Sequence, residues 1–197
     1  MNKLTRFFLF LSIVLLNGCK KEHNTEEEFD NTIFVGEWCY NSGDYYTDIT
    51  FDPLRFTGII YEGNPLTESD KISGAWGYIV ASGILSMDIY HYSTGESTDA
   101  NYSVLKIDSY AMQLRNHNLN SVENYSKVIE TLNLKQGKEE YINYTRNIPL
   151  NVSSYTSSHP SIAKVDNNGL ISAINKGISY ISIATDVGIL IVKVEVS

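Results

Sequence analysis

Residues 76–89 read Trp76-Gly77-Tyr78-Ile79-Val80-Ala81-Ser82-Gly83-Ile84-Leu85-Ser86-Met87-Asp88-Ile89. Trp76, Tyr78 and Val80 share one face of an extended chain; Leu85, Met87 and Ile89 share a face of the next, with Ser82-Gly83 between them. Apolar residues at a spacing of two, punctuated by a small turn-forming pair, mark two strands joined in a hairpin. Working outward, the same texture runs from Ile33 to about Glu130 with no convincing helix.

Eight such segments can be counted. Phe34, Gly36 and Trp38 share a face of the first; Ile49 and Phe51 mark the second; Phe56, Ile59 and Ile60 fall in the third. The hairpin above supplies the fourth and fifth. Val104, Leu105 and Ile107 belong to the sixth, Met112 and Leu114 to the seventh, and Tyr125, Val128 and Ile129 to the eighth. Asp52-Pro53, Ser82-Gly83 and Asp108-Ser109 read as tight turns, whereas 41–44, 63–70, 93–100 and 116–123 read as longer polar connections. Short and long alternate, and in an up-and-down meander every second connection lies at the same end. The expected object is an all-β, eight-stranded antiparallel barrel, closed by hairpins at one end and fringed by loops at the other.

Gly36-Glu37-Trp38 on the first strand resembles the Gly-x-Trp of lipocalin-like proteins, whose architecture is an eight-stranded meander. Tyr102-Ser103-Val104, Met112-Gln113-Leu114 and the closing Tyr125 resemble later strands of lipocalin-like domains in Bacteroidetes lipoproteins. The resemblance covers about half the chain. It implies that Trp38 packs across the barrel floor against a basic residue of the last strand, a place that Lys127 can fill although Arg is common there.

After Glu130 the texture changes. Residues 155–173, running from Tyr155-Thr156-Ser157-Ser158-His159-Pro160 through Ala163-Lys164-Val165-Asp166-Asn167-Asn168-Gly169, lead to Lys176-Gly177 and an apolar strand. This run resembles the group 2 bacterial immunoglobulin-like (BIG2) module, with Tyr155 where Trp is common and His159 where Asn is common. The resemblance implies a small immunoglobulin-like β-sandwich over 131–197. Independently, Leu190, Val192, Val194 and Val196 alternate with Ile191, Lys193 and Glu195, which gives a last strand with one clearly apolar face. Asn167-Asn168-Gly169 supplies residues that tolerate positive φ in a tight hairpin. About 67 residues make a marginally stable sandwich, which packing against the first unit would help.

At the other end of the chain, Lys3 and Arg6 precede an apolar run from Phe7 to Leu16, too short to span a bilayer and suited to a signal peptide. Leu16-Asn17-Gly18-Cys19 resembles the bacterial lipobox. The resemblance implies cleavage after Gly18, acylation of Cys19, and a cell-envelope address, the outer membrane before the inner, with surface exposure open. Two or three acyl chains, each buried CH₂ contributing roughly 0.8 kcal/mol, would hold the protein on its membrane. The expected organisation is a signal peptide over 1–18, a lipid-anchored tether over 19–32, the barrel over 33–130 and the sandwich over 131–197. The tether's Lys20-Lys21-Glu22-His23-Asn24-Thr25-Glu26-Glu27-Glu28 holds little that could enter a core. With Cys19 acylated, Cys39 is left alone and reads as a small packed residue.

The 197 residues are 43% apolar and 19% charged, an ordinary folded composition with a marked excess of tyrosine, 14 in all. Formal charge is -8, and loss of Lys3 and Arg6 with the leader takes it to -10. Such a surface repels phosphate backbones, so nucleic acid is not an expected partner. His23, His91, His117 and His159 lie far apart in sequence, without the convergent spacing of a zinc site, and no cofactor is expected. Asp166-Asn167-Asn168-Gly169 lacks the alternating carboxylates of a calcium loop. There is no nucleophile elbow or phosphate loop. Glu68 with Asp70, or Asp44 with Asp48, pair carboxylates in the manner of glycosidases but sit among Ser and Thr as a solvated surface does. Catalysis is not expected.

Tyr40, Tyr45, Tyr46, Tyr61, His91 and Tyr92 lie in or beside the long connections. Aromatic faces among polar groups suit sugars, peptides or small amphipathic ligands, although tyrosine is also simply favoured at strand ends. The leading expectation is a non-catalytic lipoprotein that binds or adheres to a glycan or protein through this rim. The alternatives are a lipocalin-like carrier of a small apolar molecule and an accessory subunit of an envelope complex. A hollow interior would favour the carrier, a filled barrel the adhesin, and a large exposed apolar patch the subunit. In a meander the first strand enters and the last leaves at the hairpin end, so the sandwich is expected beyond that end, as a spacer, with the loops facing away.

Overall fold

A computed structural model describes residues 31–143 and 150–197. The expected signal peptide, Cys19 and most of the tether lie outside the described residues. The described chain is all β apart from a single 3₁₀ turn, Asn31–Phe34.

Eight consecutive antiparallel strands form the barrel: β1 Gly36–Ser42, β2 Tyr45–Phe51, β3 Arg55–Glu62, β4 Thr67–Ile79, β5 Ile84–His91, β6 Glu96–Ile107, β7 Ala111–Asn116 and β8 Ser121–Leu134. Each pairs with its neighbour in sequence, and β1 closes on β8 through Trp38↔Lys127, Cys39↔Ser126 and Tyr40↔Tyr125. Period two sends alternate side chains inward. On β5 these are Leu85 and Met87, both buried, followed by Ile89 and His91.

One half of the barrel is solid. Phe34, Trp38, Phe51, Phe56, Trp76 and Leu85 pack there, with Phe34 brought in by the 3₁₀ turn to lie 5.3 Å from both Trp76 and Tyr78, centroid to centroid. Burying an indole also demands an acceptor for its N–H. Trp38 Nε1 donates to the Phe34 carbonyl and Trp76 Nε1 to that of Asp52, both at 2.7 Å. Lys127 Nζ lies 4.3 Å from the Trp38 ring centroid and donates to the Val35 carbonyl at 2.7 Å, which is the floor contact implied by the lipocalin-like resemblance.

The alternation of tight and roomy links does not hold. Turns at both ends are two to four residues long, because β4 begins at Thr67 and β6 at Glu96, inside stretches expected to be loops. Polar composition misled there. A strand beside a hollow mouth faces solvent outside and polar lining inside, so it needs few apolar residues.

β8 runs through the expected change of unit at 130–131 without a break. Its first half completes the barrel, and from Val128 to Leu134 it pairs in parallel with β14, Gly188–Val196. That strand pairs with β13, Gly177–Thr185, and β13 with β10, Val152–Ser157. A second sheet holds β9 Glu139–Tyr141, β11 Ala163–Val165 and β12 Leu170–Ala173, in the order β11-β12-β9. Between the two sheets lies an apolar core that includes Leu132, Ile171, Ile183, Leu190, Val192 and Val194, so the second unit is a β-sandwich.

The sandwich is not placed beyond the closed end as expected. It lies along the outside of β1, β2 and β3, where Cys39, Tyr46 and Tyr61 pack with Val128, Tyr180 and Ile191. Cys39 is thus a packed residue, and burial followed by the nearby Asp48 carboxylate pushes its thiol pKa well up.

Candidate functional site: the hollow mouth of the barrel

The other half of the barrel is open, with a cavity of about 580 Å³. Eight strands leave an interior that side chains either fill or shape around one small ligand. Large residues fill the closed half here. Toward the mouth the inward positions include the smaller groups Thr47, Ile49, Ile60, Ile72 and Ala100. Among the described residues none after Tyr125 lines this space, so the described part of the sandwich lies outside it.

Four tyrosines and two acids, Glu123 and Asp99, give the cavity much of its polar character. On β8 the inward register runs Ser121, Glu123, Tyr125, and β1 places Tyr40 directly across from Tyr125. The Tyr40 ring lies 5.4 Å from that of Tyr125 and 6.4 Å from that of Tyr45, edge-on to the latter. Tyr102 on β6 lines the same space and is 7% exposed. Burial, then the Glu123 charge, raises the pKa values of Tyr102 and Tyr125, and burial raises that of Tyr45. All three phenols therefore stay neutral at physiological pH.

Glu123 is itself buried at 7% exposure. Its Oε2 accepts from the Tyr125 hydroxyl at 2.8 Å and its Oε1 from Asn116 Nδ2 at 2.9 Å. Asn116 Oδ1 in turn accepts the backbone N–H groups of Asn118 and Leu119, which shapes the β7–β8 turn at the rim. Across the mouth, His91 Nδ1 lies 2.8 Å from Asp70 Oδ2 and its Nε2 lies 3.1 Å from Thr98 Oγ1. Asp70 also accepts from the Ser93 backbone N–H at 2.8 Å. Slight burial opposes it, but the bonds from His91 and Ser93 hold the Asp70 pKa below the usual range.

Of the six residues expected at the rim, Tyr40, Tyr45 and His91 line the cavity. Tyr46 and Tyr61 do not. They point outward and are buried against the sandwich, Tyr46 stacked on Tyr180 at 4.7 Å and 3°, Tyr61 edge-on to Tyr180 at 6.5 Å. Tyr92 is 60% exposed on the outer surface, edge-on to Tyr90 at 5.0 Å with its hydroxyl 3.3 Å from Ser73 Oγ. It borders a separate groove of about 320 Å³ lined also by Glu37, Asp48, Lys71 and Lys193. Sequence reasoning missed Tyr102, Asn116, Glu123 and Tyr125. The usable signal is the alternation Glu123, Tyr125, Lys127, which the polar, loop-like composition of 116–123 obscures.

The remaining candidates have structural employment. Asp48 Oδ2 accepts from Lys193 Nζ at 2.9 Å and from the Tyr180 hydroxyl at 2.8 Å, under the sandwich. Glu68 pairs with Lys71 on the surface at 3.4 Å. His117 Nε2 lies 2.7 Å from Ser103 Oγ, and His159 is buried beside Tyr46 with Nδ1 2.8 Å from Ser158 Oγ; His23 lies outside the described residues. Asp166 Oδ1 accepts the N–H groups of Asn168 and Leu170, each at 2.8 Å, which closes that hairpin from within the protein.

No protein-family profile matches the chain. No curated protein matches it either. Among solved structures, the chain is similar to the NMR structure of a protein from Bacteroides uniformis, at 22% identity and a TM-score of 0.37, over 48% of this chain and 88% of that one. At that identity and TM-score the likeness transfers neither ligand nor role.

Proposed function

We propose that this chain is a non-catalytic, lipid-anchored binding protein of the cell envelope, which takes a small amphipathic molecule into the mouth of its barrel. The observation that carries this reading is the half-filled interior. An aromatic floor ends partway up, and above it a cavity of about 580 Å³ combines aliphatic walls with a few convergent polar groups. That size and lining match a small-molecule site. The hollow favours the carrier alternative over adhesion through rim loops, since the rim consists of short turns and two of its expected tyrosines serve the junction with the sandwich.

Absence of catalysis belongs to the proposal. It is supported by the occupation of the acidic candidates, with Asp48 and Asp70 each committed to protein partners. The envelope address rests on the leader and on the resemblance of 16–19 to a lipobox. The sandwich, similar in sequence to the BIG2 module, stiffens the barrel's flank through its packing on β1, β2 and β3.

Ala100 lines the cavity and is 7% exposed. Ala100→Phe should occupy the space and abolish uptake of 1-octanol and similar amphiphiles in calorimetric titration, with the fold retained by circular dichroism. Uptake equal to that of the unaltered protein would remove the barrel interior as the site. For the anchor, Cys19→Ser should end metabolic labelling with palmitate and release the protein from the membrane fraction; persistent labelling would refute it.

A further inference from the structure

We propose that the ligand carries a cationic amine, held by the Glu123 carboxylate within a wall of tyrosine rings, while its apolar body lies along the aliphatic lining. This inference rests on the cavity reading above and narrows it to a chemical class.

Glu123 is more than nine-tenths buried and lines the cavity. Its two hydrogen-bond donors, the Tyr125 hydroxyl and Asn116 Nδ2, are both neutral. A carboxylate has about four acceptor positions, so two neutral donors leave both charge and acceptor capacity unused. Buried charges are ordinarily matched by an opposite charge. Among the described residues no lysine or arginine lines this cavity. Its one basic side chain, His91, is bonded to Asp70 and Thr98. The second acid in the lining, Asp99, adds to the negative potential at the mouth.

The aromatic geometry agrees. Tyr45, Tyr40 and Tyr125 form a contiguous wall, with centroids 6.4 Å and 5.4 Å apart, and Tyr102 lines the same space. Faces of phenol rings attract ammonium groups through the ring quadrupole, and several rings beside a carboxylate are the usual means of holding alkylammonium ions. An anionic head would meet Glu123 and Asp99 with no cation to receive it, so a fatty acid fits poorly. A neutral alcohol gains only the apolar walls.

The test titrates octylammonium, octyltrimethylammonium, 1-octanol and octanoate into the full chain carrying Cys19→Ser, by calorimetry. The two cations should bind at least tenfold more tightly than octanol, and octanoate more weakly than octanol. Glu123→Gln keeps the size and an acceptor for Asn116; it should bring the cations down to the octanol affinity and leave octanol unchanged. Tyr40→Leu, which touches neither bond of Glu123, should cut cation affinity about tenfold while octanol still binds, and it serves if the Glu123 variant does not fold. Octanol or octanoate equal to the cations in the unaltered chain, or an undiminished cation preference in both variants, would overturn the amine assignment and leave the cavity reading standing. Failure of every probe would overturn both.

Discussion

Gly36 has a φ of 119°, a region that residues with a Cβ rarely enter. A Cβ at this position would also run into Lys127 Nζ, which sits beneath the chain to reach the Val35 carbonyl and the Trp38 ring. Gly-x-Trp is therefore one device: the missing side chain admits the ammonium that covers the indole. Gly36→Ala should cost about 1–3 kcal/mol, from backbone strain and displacement of Lys127. Urea denaturation would measure it, and a loss below a few tenths would refute the account. The sequence motif made Trp38 legible as a floor residue. The inward Glu123 was harder to read: its alternation with Tyr125 and Lys127 is a strand signal, but an acid among polar neighbours looks much alike on a loop and on a strand.

At the scale of the element, β4 and β8 are the informative strands. A Cβ on Gly74 of β4 would collide with the backbone carbonyl of Asp88 on β5, and one on Gly58 of β3 with that of Asp48 on β2. Glycines inside strands mark close backbone approach at the bends of a barrel. Since a backbone oxygen cannot swing aside, Gly74→Ala should destabilise the fold by about 3 kcal/mol, at the upper end of overpacking costs. An unchanged unfolding midpoint would contradict that. β8 takes part in two sheets, antiparallel to β7 and β1 and then parallel to β14. Its alternation was readable in the sequence. Its double membership was not, since strand residues carry no record of which partner lies beside them.

Across the whole molecule, the junction between barrel and sandwich is polar at its centre. Lys193 and Asp48 are each 7% exposed in their side chains; Lys193 Nζ also reaches the Tyr61 hydroxyl at 3.1 Å, and Asp48 Oδ1 has no partner. Removing one member of a buried pair strands the other's charge, so Lys193→Met should cost about 3–5 kcal/mol, much of it recovered in the double variant with Asp48→Leu. A double-mutant cycle in denaturant would decide, and additive losses would deny the coupling. Alkali should act on the same place. Burial opposes charge on Lys193, but Asp48 and Tyr61 outweigh it and hold its pKa above the ordinary 10.5; burial and then Asp48 raise Tyr180 above 10.0. Both groups hold their protons more tightly folded than unfolded. Their contribution is complete below pH 10 and is lost as pH rises through the raised values. Unfolding midpoints should fall above pH 10, less steeply in Lys193→Met. A midpoint flat to about pH 11 would count against the linkage.

From the sequence alone came the all-β class, the eight-stranded meander and the apolar face of the last strand, because period-two alternation states which side each residue faces; the packing of Trp38 came from the resemblance of Gly36-Glu37-Trp38 to the lipocalin-like motif. What covers that side is a different question. Ile191 and Lys193 were on the polar face of the last strand, yet both are buried, because that face meets the barrel. Tyr46 and Tyr61 left the candidate site for the same reason. Only tertiary structure could decide where the barrel is solid and where it is hollow, since that depends on how side chains from eight strands, distant in sequence, fill one shared interior.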